Sequence, residues 1–343
     1  MDDMIIKKDK LPKWSSELSD YKIFAPHRED DVVIFKEMKN VNKVVLHYAN
    51  SVMPPKEIFF PQTQELFKYE KSPEMKVSEA ELPLEKVLLF GVRPCDARSF
   101  LIMDKLFYWD YEDHLYKQAR DNTVIIGLTC TSPHHNCFCT SVGGKPYSNE
   151  GLDVLMTDLG DRYYVEVLTE KGEDVIRKPD ELFSKPTDKD RKERGEIWEK
   201  AESEVTKNVE VEGVHDKLGE LFESKYWDEK SRTCVGCGIC SFLCPTCHCF
   251  DITDEDCGNC GRRIRTWDTC MIPEYTVHAS GYNPRPGKKN RLKNRVFHKF
   301  RYFPDRFDAI ACVGCGRCIS KCPVGIDIVE TLEEVKEVEE VEE

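Results

Sequence analysis

Cys234-Val-Gly-Cys237-Gly-Ile-Cys240-Ser-Phe-Leu-Cys244-Pro245 recurs near the C-terminus as Cys312-Val-Gly-Cys315-Gly-Arg-Cys318-Ile-Ser-Lys-Cys322-Pro323. Both stretches read C-x2-C-x2-C-x3-C-P, the spacing that ligates [4Fe–4S] clusters in two-cluster ferredoxins. Three thiolates two residues apart wrap one corner of a cube. Gly236, Gly238, Gly314 and Gly316 let the loop take positive φ and bring backbone N–H groups near the sulfides. The fourth Cys of each run ligates the other cluster. Cys234, Cys237, Cys240 and Cys322 are therefore assigned to one cube, and Cys312, Cys315, Cys318 and Cys244 to the other. Pro245 and Pro323 end the short helix after each loop. The crossing of ligands ties the two runs together in space, although 67 residues lie between Cys244 and Cys312.

Two other uses of these thiols fit less well. Tetrahedral zinc favours paired C-x2-C, but has no use for a fourth Cys at x3 followed by Pro, twice over. A disulfide framework goes with an oxidising compartment, and no apolar signal region is read at the N-terminus. Cys244-Pro-Thr-Cys247-His248 also matches the C-x-x-C-H haem attachment pattern. Cys244 is already assigned to a cube, so the match is taken as coincidence.

The chain has 343 residues, 17 of them Cys, with 33% charged and 40% hydrophobic residues. No apolar run approaches the ~18 residues that a membrane span needs. So many free thiols suit a reducing cytosol, and a soluble, cytoplasmic, anaerobic protein is expected. The net charge of −13 argues against nucleic acid as the main partner. Residues 330–343 hold eight Glu and one Lys and read as a solvated acidic tail.

The expected fold is α+β. An N-terminal α/β domain with a mixed, partly parallel sheet covers 1–176. A charged helical connector covers 177–229, with Trp198, Leu218, Leu221 and Trp227 as its apolar anchors. A ferredoxin-like dicluster domain covers 230–329 and is split by a long insertion, 246–311. Trp14 lies in a short helical pattern. Val32–Phe35, Val44–Leu46 and Ile58–Phe60 read as strands, and 62–70 as helix. Strands at 86–91 and 123–127 flank helical periodicity over 97–119, which predicts a parallel βαβ unit. Leu152–Leu168 reads as a hairpin.

Nine cysteines lie outside the doubled motif. Cys95 and Cys130 follow the two strands of the βαβ unit, and so share the sheet edge where open α/β sheets bind ligands. Cys137-Phe-Cys139 follows in a loop with His134 and His135. Four thiols converging on one edge can hold a third [4Fe–4S] cluster; the competing reading makes Cys95 and Cys130 buried core thiols. Cys247, Cys249, Cys257, Cys260 and Cys270 lie in the insertion. Cys257-Gly-Asn-Cys260 has the turn of a zinc or Fe–S half-site, so an extra metal site is one expectation for this group. The insertion also holds nine Lys or Arg between Arg285 and Arg306, with Arg262, Arg263 and Arg265 nearby. These read as a solvated face, a docking surface for an acidic partner, or a field acting on a cluster.

The combined pattern resembles a known family. Its carriers are Gly-Val-Arg-Pro-Cys95-Asp, Asn136-Cys137-Phe-Cys139, Cys244-Pro-Thr-Cys247-His-Cys249-Phe250-Asp, Arg265-Thr-Trp-Asp-Thr-Cys270 and His298-Lys299. Together they resemble the beta subunit of cytoplasmic sulfhydrogenases and the corresponding iron–sulfur subunit of anaerobic sulfite reductases, over residues 20–329. The resemblance implies an electron-relay subunit of a multi-subunit oxidoreductase, without a catalytic residue of its own. The partners it implies are a flavin subunit that exchanges electrons with NAD(P)H and a catalytic subunit of nickel–iron or sirohaem type. It carries over to the eight ferredoxin-type Cys and to Cys95, Cys130, Cys137 and Cys139; Cys247, Cys249 and Cys270 match without an assigned role. The absence of G-x-G-x-x-G and G-x-x-x-x-G-K-[ST] agrees with a relay. Two alternatives stand beside it: a stand-alone polysulfide or disulfide reductase using the extra cysteines, and a nucleic-acid enzyme with a structural cluster, which the charge disfavours.

Overall fold

Lys86–Val92 and Thr123–Leu128 are apolar at almost every position, as strands covered on both faces must be. In the computed structural model, which describes residues 3–39, 41, 44–71, 73–80, 85–177 and 180–338, they sit at the centre of an eight-stranded sheet. In chain order the strands are β1 (Met4–Lys7), β2 (Tyr21–Glu29), β3 (Val32–Met38), β4 (Thr63–Glu70), β5 (Lys76–Glu79), β6 (Lys86–Val92), β7 (Thr123–Leu128), β8 (Val154–Asp158), β9 (Arg162–Val167), β10 (Phe183–Ser184), β11 (Phe250–Asp256) and β12 (Cys260–Trp267). The large sheet has the order β10-β1-β9-β8-β7-β6-β2-β3. Its central pairs β2/β6, β6/β7 and β7/β8 are parallel, and its outer pairs antiparallel. It is the mixed sheet expected of an α/β half.

The first helices are α1 (Leu11–Ser16), α2 (Pro94–Phe107), α3 (His114–Asp121) and α4 (Glu170–Arg177). Side chains alternate across the sheet with period two. Leu88 and Phe90 of β6 join Val124 and Ile126 of β7 in one apolar layer, closed by Trp14 of α1 and Val175 of α4. Leu89, Val92 and Ile125 point the other way, against Phe100 and Met103 of α2 and Tyr116 of α3. The crossover from β6 through α2 and α3 to β7 is the expected parallel unit. It delivers residues 93–95 and 129–130 to the same edge of the sheet.

The remaining helices are α5 (Asp188–Ser203), α6 (Val214–Glu220), α7 (Tyr226–Lys230), α8 (Ile239–Phe242), α9 (Lys288–Phe297), α10 (Phe303–Phe307), α11 (Arg317–Ser320) and α12 (Ile328–Glu337). A capping box between Thr187 and Asp190 starts α5. Trp198 of α5 stacks on Tyr147 at 4.6 Å and donates to Thr157 Oγ1 of β8, so α5 lies on the N-terminal half. Leu218, Leu221 and Trp227 of the α6–α7 segment are instead buried with Phe297, Leu332 and Val335 in the C-terminal core. Among the described residues, no helix is long and apolar enough to cross a membrane.

Several local expectations change. Within 62–70, Thr63–Glu70 is strand β4, not helix. Their backbone groups are satisfied by β12, which belongs to the insertion, and the four strands β11-β12-β4-β5 form a second sheet. Pairing with a distant segment overrides the helix-forming composition of Thr63–Glu70. Val44–Leu46 is extended without a ladder: the Val45 N–H donates to Pro26 O at 2.8 Å, and Pro26 has no N–H to return. Ile58–Phe60 closes a helical turn, in which the N–H groups of Phe59 and Phe60 both donate to Lys56 O. The acidic stretch from residue 330 is helical as far as Glu337, because Val329, Leu332 and Val335 bury one face of α12; residues 339–343 lie outside the described residues.

Trp14 is 1% exposed, packs on Phe90 and donates its indole N–H to Val175 O. Trp14→Ala is expected to cost about 3–5 kcal/mol, read as a lowered midpoint in urea unfolding. A loss under ~1 kcal/mol would show that α1 is not a structural lid on the sheet.

Candidate metal centres

The two doubled-motif loops turn as their glycines allow. Gly236, Gly238, Gly314 and Gly316 have φ of 71°, 74°, 64° and 72°, in the left-handed region that side chains resist. Helix α8 starts directly after Gly238 and α11 directly after Gly316. Cys234, Cys237 and Cys240 of the first loop line one cavity together with Cys322 of the second, and Cys318 of the second loop reaches the same cavity. Met271, Leu292 and Val296 form its apolar wall. The Ile326 N–H donates to Cys322 Sγ at 3.2 Å. Cys237 is exposed, and Val235 beside it is 59% exposed, so this site reaches the surface.

Cys312, Cys315, Cys318 and Cys244 form a second group. The Cys244 sulfur acts on each of the other three, and burial raises all three above the ordinary thiol range, Cys315 to about 11. A fully buried ammonium faces this group. Lys299 Nζ donates to Cys244 Sγ at 3.2 Å, Thr246 Oγ1 at 3.0 Å and Ala311 O at 2.8 Å. Burial works against its charge, but the sulfurs of Cys244 and Cys247 outweigh that, so Lys299 stays protonated. Cys244 is held well below the ordinary thiol range by the Cys247 thiol and, against its burial, by Lys299. Lys56 lies on the other side, donating to Cys244 O at 2.9 Å and Cys247 O at 2.7 Å. Arg295 donates to Cys240 O, and its buried Nη1 lacks a protein partner.

The four N-terminal thiols also meet. Cys95, Cys130, Cys137 and Cys139 line one cavity, and Gly314 and Cys315 of the second loop line it too. Burial raises all four, Cys137 and Cys139 to about 12. The contact between this site and the second loop is backbone on backbone. The Phe138 N–H donates to Gly314 O at 2.8 Å. A Cβ on Gly314 would stand 2.5 Å from Cys139 N, and one on Gly316 2.5 Å from Asn136 O. Asn50 Nδ2 donates to Cys315 O at 2.7 Å. Arg317, which follows the second loop, forms a bidentate pair with Asp96 beside Cys95, at 2.6 and 2.8 Å.

The five insertion cysteines do not gather. Cys247 lies against Cys244. Cys249 and Cys270 contact each other. Cys257 and Cys260 form a disulfide at the exposed end of the β11–β12 hairpin. The expected shared metal site therefore has no ligand set. Among the described residues, no three His, Cys, Asp or Glu side chains come close enough to hold a single ion. The donor chemistry fits [4Fe–4S] groups: four thiols per site, positive-φ glycines at two of them, and buried N–H and ammonium donors on the ligand sulfurs.

The basic run lies only partly at the surface: Lys288 and Arg306 are exposed, and Arg285, Lys289 and Arg301 half-buried. Arg291, Lys293, Arg295 and Lys299 are buried, and Arg291 and Lys293 donate to the carbonyls of Met271 and Phe222. Lys289 pairs with Asp228. No sequence pattern marks Lys56 or Asn50 as part of a site. Arg295 and Lys299 do carry a signal, since they share the helical spacing of the apolar Leu292, Val296 and Phe300, but the density of charge around them masks it.

Lys299→Met keeps the stem and removes the charge and the N–H···S bond. Its expected effect is a more negative midpoint potential for one iron–sulfur centre, read by potentiometric EPR at unchanged iron content. An unchanged set of potentials would make Lys299 a structural cation only.

A family model for the 4Fe-4S dicluster domain matches residues 233–326. The chain is also similar to Sulfhydrogenase 2 subunit beta of Pyrococcus furiosus, 31% identical over 326 residues, which cover 94% of this chain and 95% of that protein. No solved structure matches. With an iron–sulfur dicluster domain at its C-terminus and a relative matched along nearly its whole length, the chain belongs to the family of sulfhydrogenase beta subunits.

Proposed function

We propose that this chain is a non-catalytic electron relay with three [4Fe–4S] sites in series, bridging a flavin subunit that exchanges electrons with NAD(P)H and a catalytic subunit of nickel–iron or sirohaem type. When bound, the clusters supply one-electron storage. The observation that carries the order is the seating of Phe138 and Cys139 on Gly314. It supports a Cys95–Cys139 site adjoining the second loop, and the crossed ligand Cys322 supports a second loop adjoining the first site.

The chain's own residues do three things along this line. The first is ligation, by the twelve thiols named above. The second is exclusion of water from the middle site, where Cys312, Cys315 and Cys244 are buried with Ala311 and Val313. A low-dielectric surround strengthens the field of Lys299 and Lys56 on that site. The third is exposure of the two ends. Cys237, Val235 and Val324 open one end to solvent; Cys95 and Cys130 are only half-buried at the other. Each open end suits the docking of a redox partner. The P. furiosus relative is by its name one subunit of a larger assembly, which supports partners at both ends.

Three cubes require about twelve iron and twelve sulfide per chain. The double variant Cys130→Ser, Cys139→Ser is expected to lose about four of each, to keep the dicluster EPR signals, and to slow electron transfer between the partner subunits. A wild-type protein with about eight iron, unchanged in the variant, would contradict the third site and leave Cys95 and Cys130 as buried thiols.

A further inference from the structure

We infer that Cys249 and Cys270 form a redox-active dithiol, a two-electron couple beside the first iron–sulfur site. Neither residue belongs to the twelve thiols assigned to clusters, and their place in the fold follows from the β11–β12 hairpin. Phe250 and Trp267 are paired in its register, so Cys249 continues opposite Asp268, two residues before Cys270. The Asp268 N–H donates to Cys249 O at 3.0 Å. The two side chains belong to one packed cluster and act on each other electrostatically, and the Cys270 N–H and the Tyr275 hydroxyl lie near Cys249. Such a cluster is a poor choice for a merely space-filling thiol. It is also a poor metal site, because no third protein ligand is close enough among the described residues.

The pair stands on the wall of the first site. Cys270 and Met271 are buried in one cluster with Cys234 and Leu292, and Cys240, Cys249 and Tyr275 pack against it. The loop of the first motif has glycines where this segment approaches. A Cβ on Gly238 would lie 3.0 Å from Thr269 Cγ2, and one on Gly236 3.8 Å from Met271 O. Cys270 therefore lies between two residues that touch the ligand loop.

The chemistry balances on electrons that the proposed relay would bring from its redox partners. Two electrons, delivered singly through the first site, and two protons convert the Cys249–Cys270 disulfide to two thiols; one S–S bond breaks and two S–H bonds form. The protons come from solvent, by way of the half-buried Tyr275 hydroxyl that faces Cys249. The reverse step returns both electrons to the same site. Such a couple lets a chain of one-electron centres hold an electron pair for a two-electron partner. The inference rests on the relay proposed above for its electron supply.

The test uses the anaerobic holoprotein, poised at a series of potentials with mediators. Samples are acid-quenched, alkylated and mapped by mass spectrometry, with iron content and EPR measured on the same material. The expected result is a Cys249–Cys270 disulfide that appears and disappears with a two-electron slope at constant iron. Coulometric reduction should take two more electrons per chain in wild type than in Cys270→Ser or Cys249→Ser, each with wild-type cluster signals. Both thiols alkylated at every potential, with equal electron counts in wild type and variants, would overturn it. So would zinc or extra iron lost with either substitution. Loss of the cluster signals in wild type would instead contradict the relay, and the thiol map would still report on the pair.

Discussion

The contact on which the rest depends is the seating of Asn136–Cys139 on Gly314 and Gly316. It leaves no room for a Cβ on either glycine and places backbone directly on backbone. A close approach of this kind fixes relative position more tightly than side-chain packing can. Here it joins an α/β half to a dicluster domain at the point where each carries its thiols. The buried Arg317–Asp96 pair locks the same junction from the other side. Removing one partner of such a pair is far more costly than the pair's own net worth, so the junction is set geometrically and strengthened electrostatically.

A second constraint is charge. Thiolate-bound clusters are anionic, and of the three groups of thiols the one formed by Cys244, Cys312, Cys315 and Cys318 is the most buried. Isolated negative charge there would be expensive. Lys299, Lys56 and Arg295 answer it from three directions, and their donors end on ligand sulfur or on ligand-loop carbonyls. The π turn His298–Tyr302 keeps Lys299 and Phe300 both buried within a segment whose composition suggests a solvated face. Four of the nine charges of the basic run are thus directed inward.

Legibility followed the physics of each signal. The doubled motif could be read because cluster ligation demands fixed spacing, and the βαβ unit because strands covered on both faces must be apolar at every position. The sheet edge that collects Cys95 and Cys130 followed from that topology. Strand β4 was not legible, since its partner β12 lies in the insertion and local composition favours helix. The insertion cysteines are close in number but not in place: the hairpin carries Cys257 and Cys260 to its far end, while its base brings Cys249 to Cys270. The helix at the start of the acidic tail was not legible because eight Glu conceal the i, i+3 spacing of Val329, Leu332 and Val335.

The central claim is the series arrangement, with the N-terminal site adjoining the middle one. It is tested most directly by EPR of the stepwise-reduced holoprotein. The account predicts that the signal of the N-terminal centre splits or broadens by spin coupling when the middle centre is reduced, and that this coupling disappears in a variant lacking the middle centre. An N-terminal signal that stays isolated at every stage of reduction would contradict it.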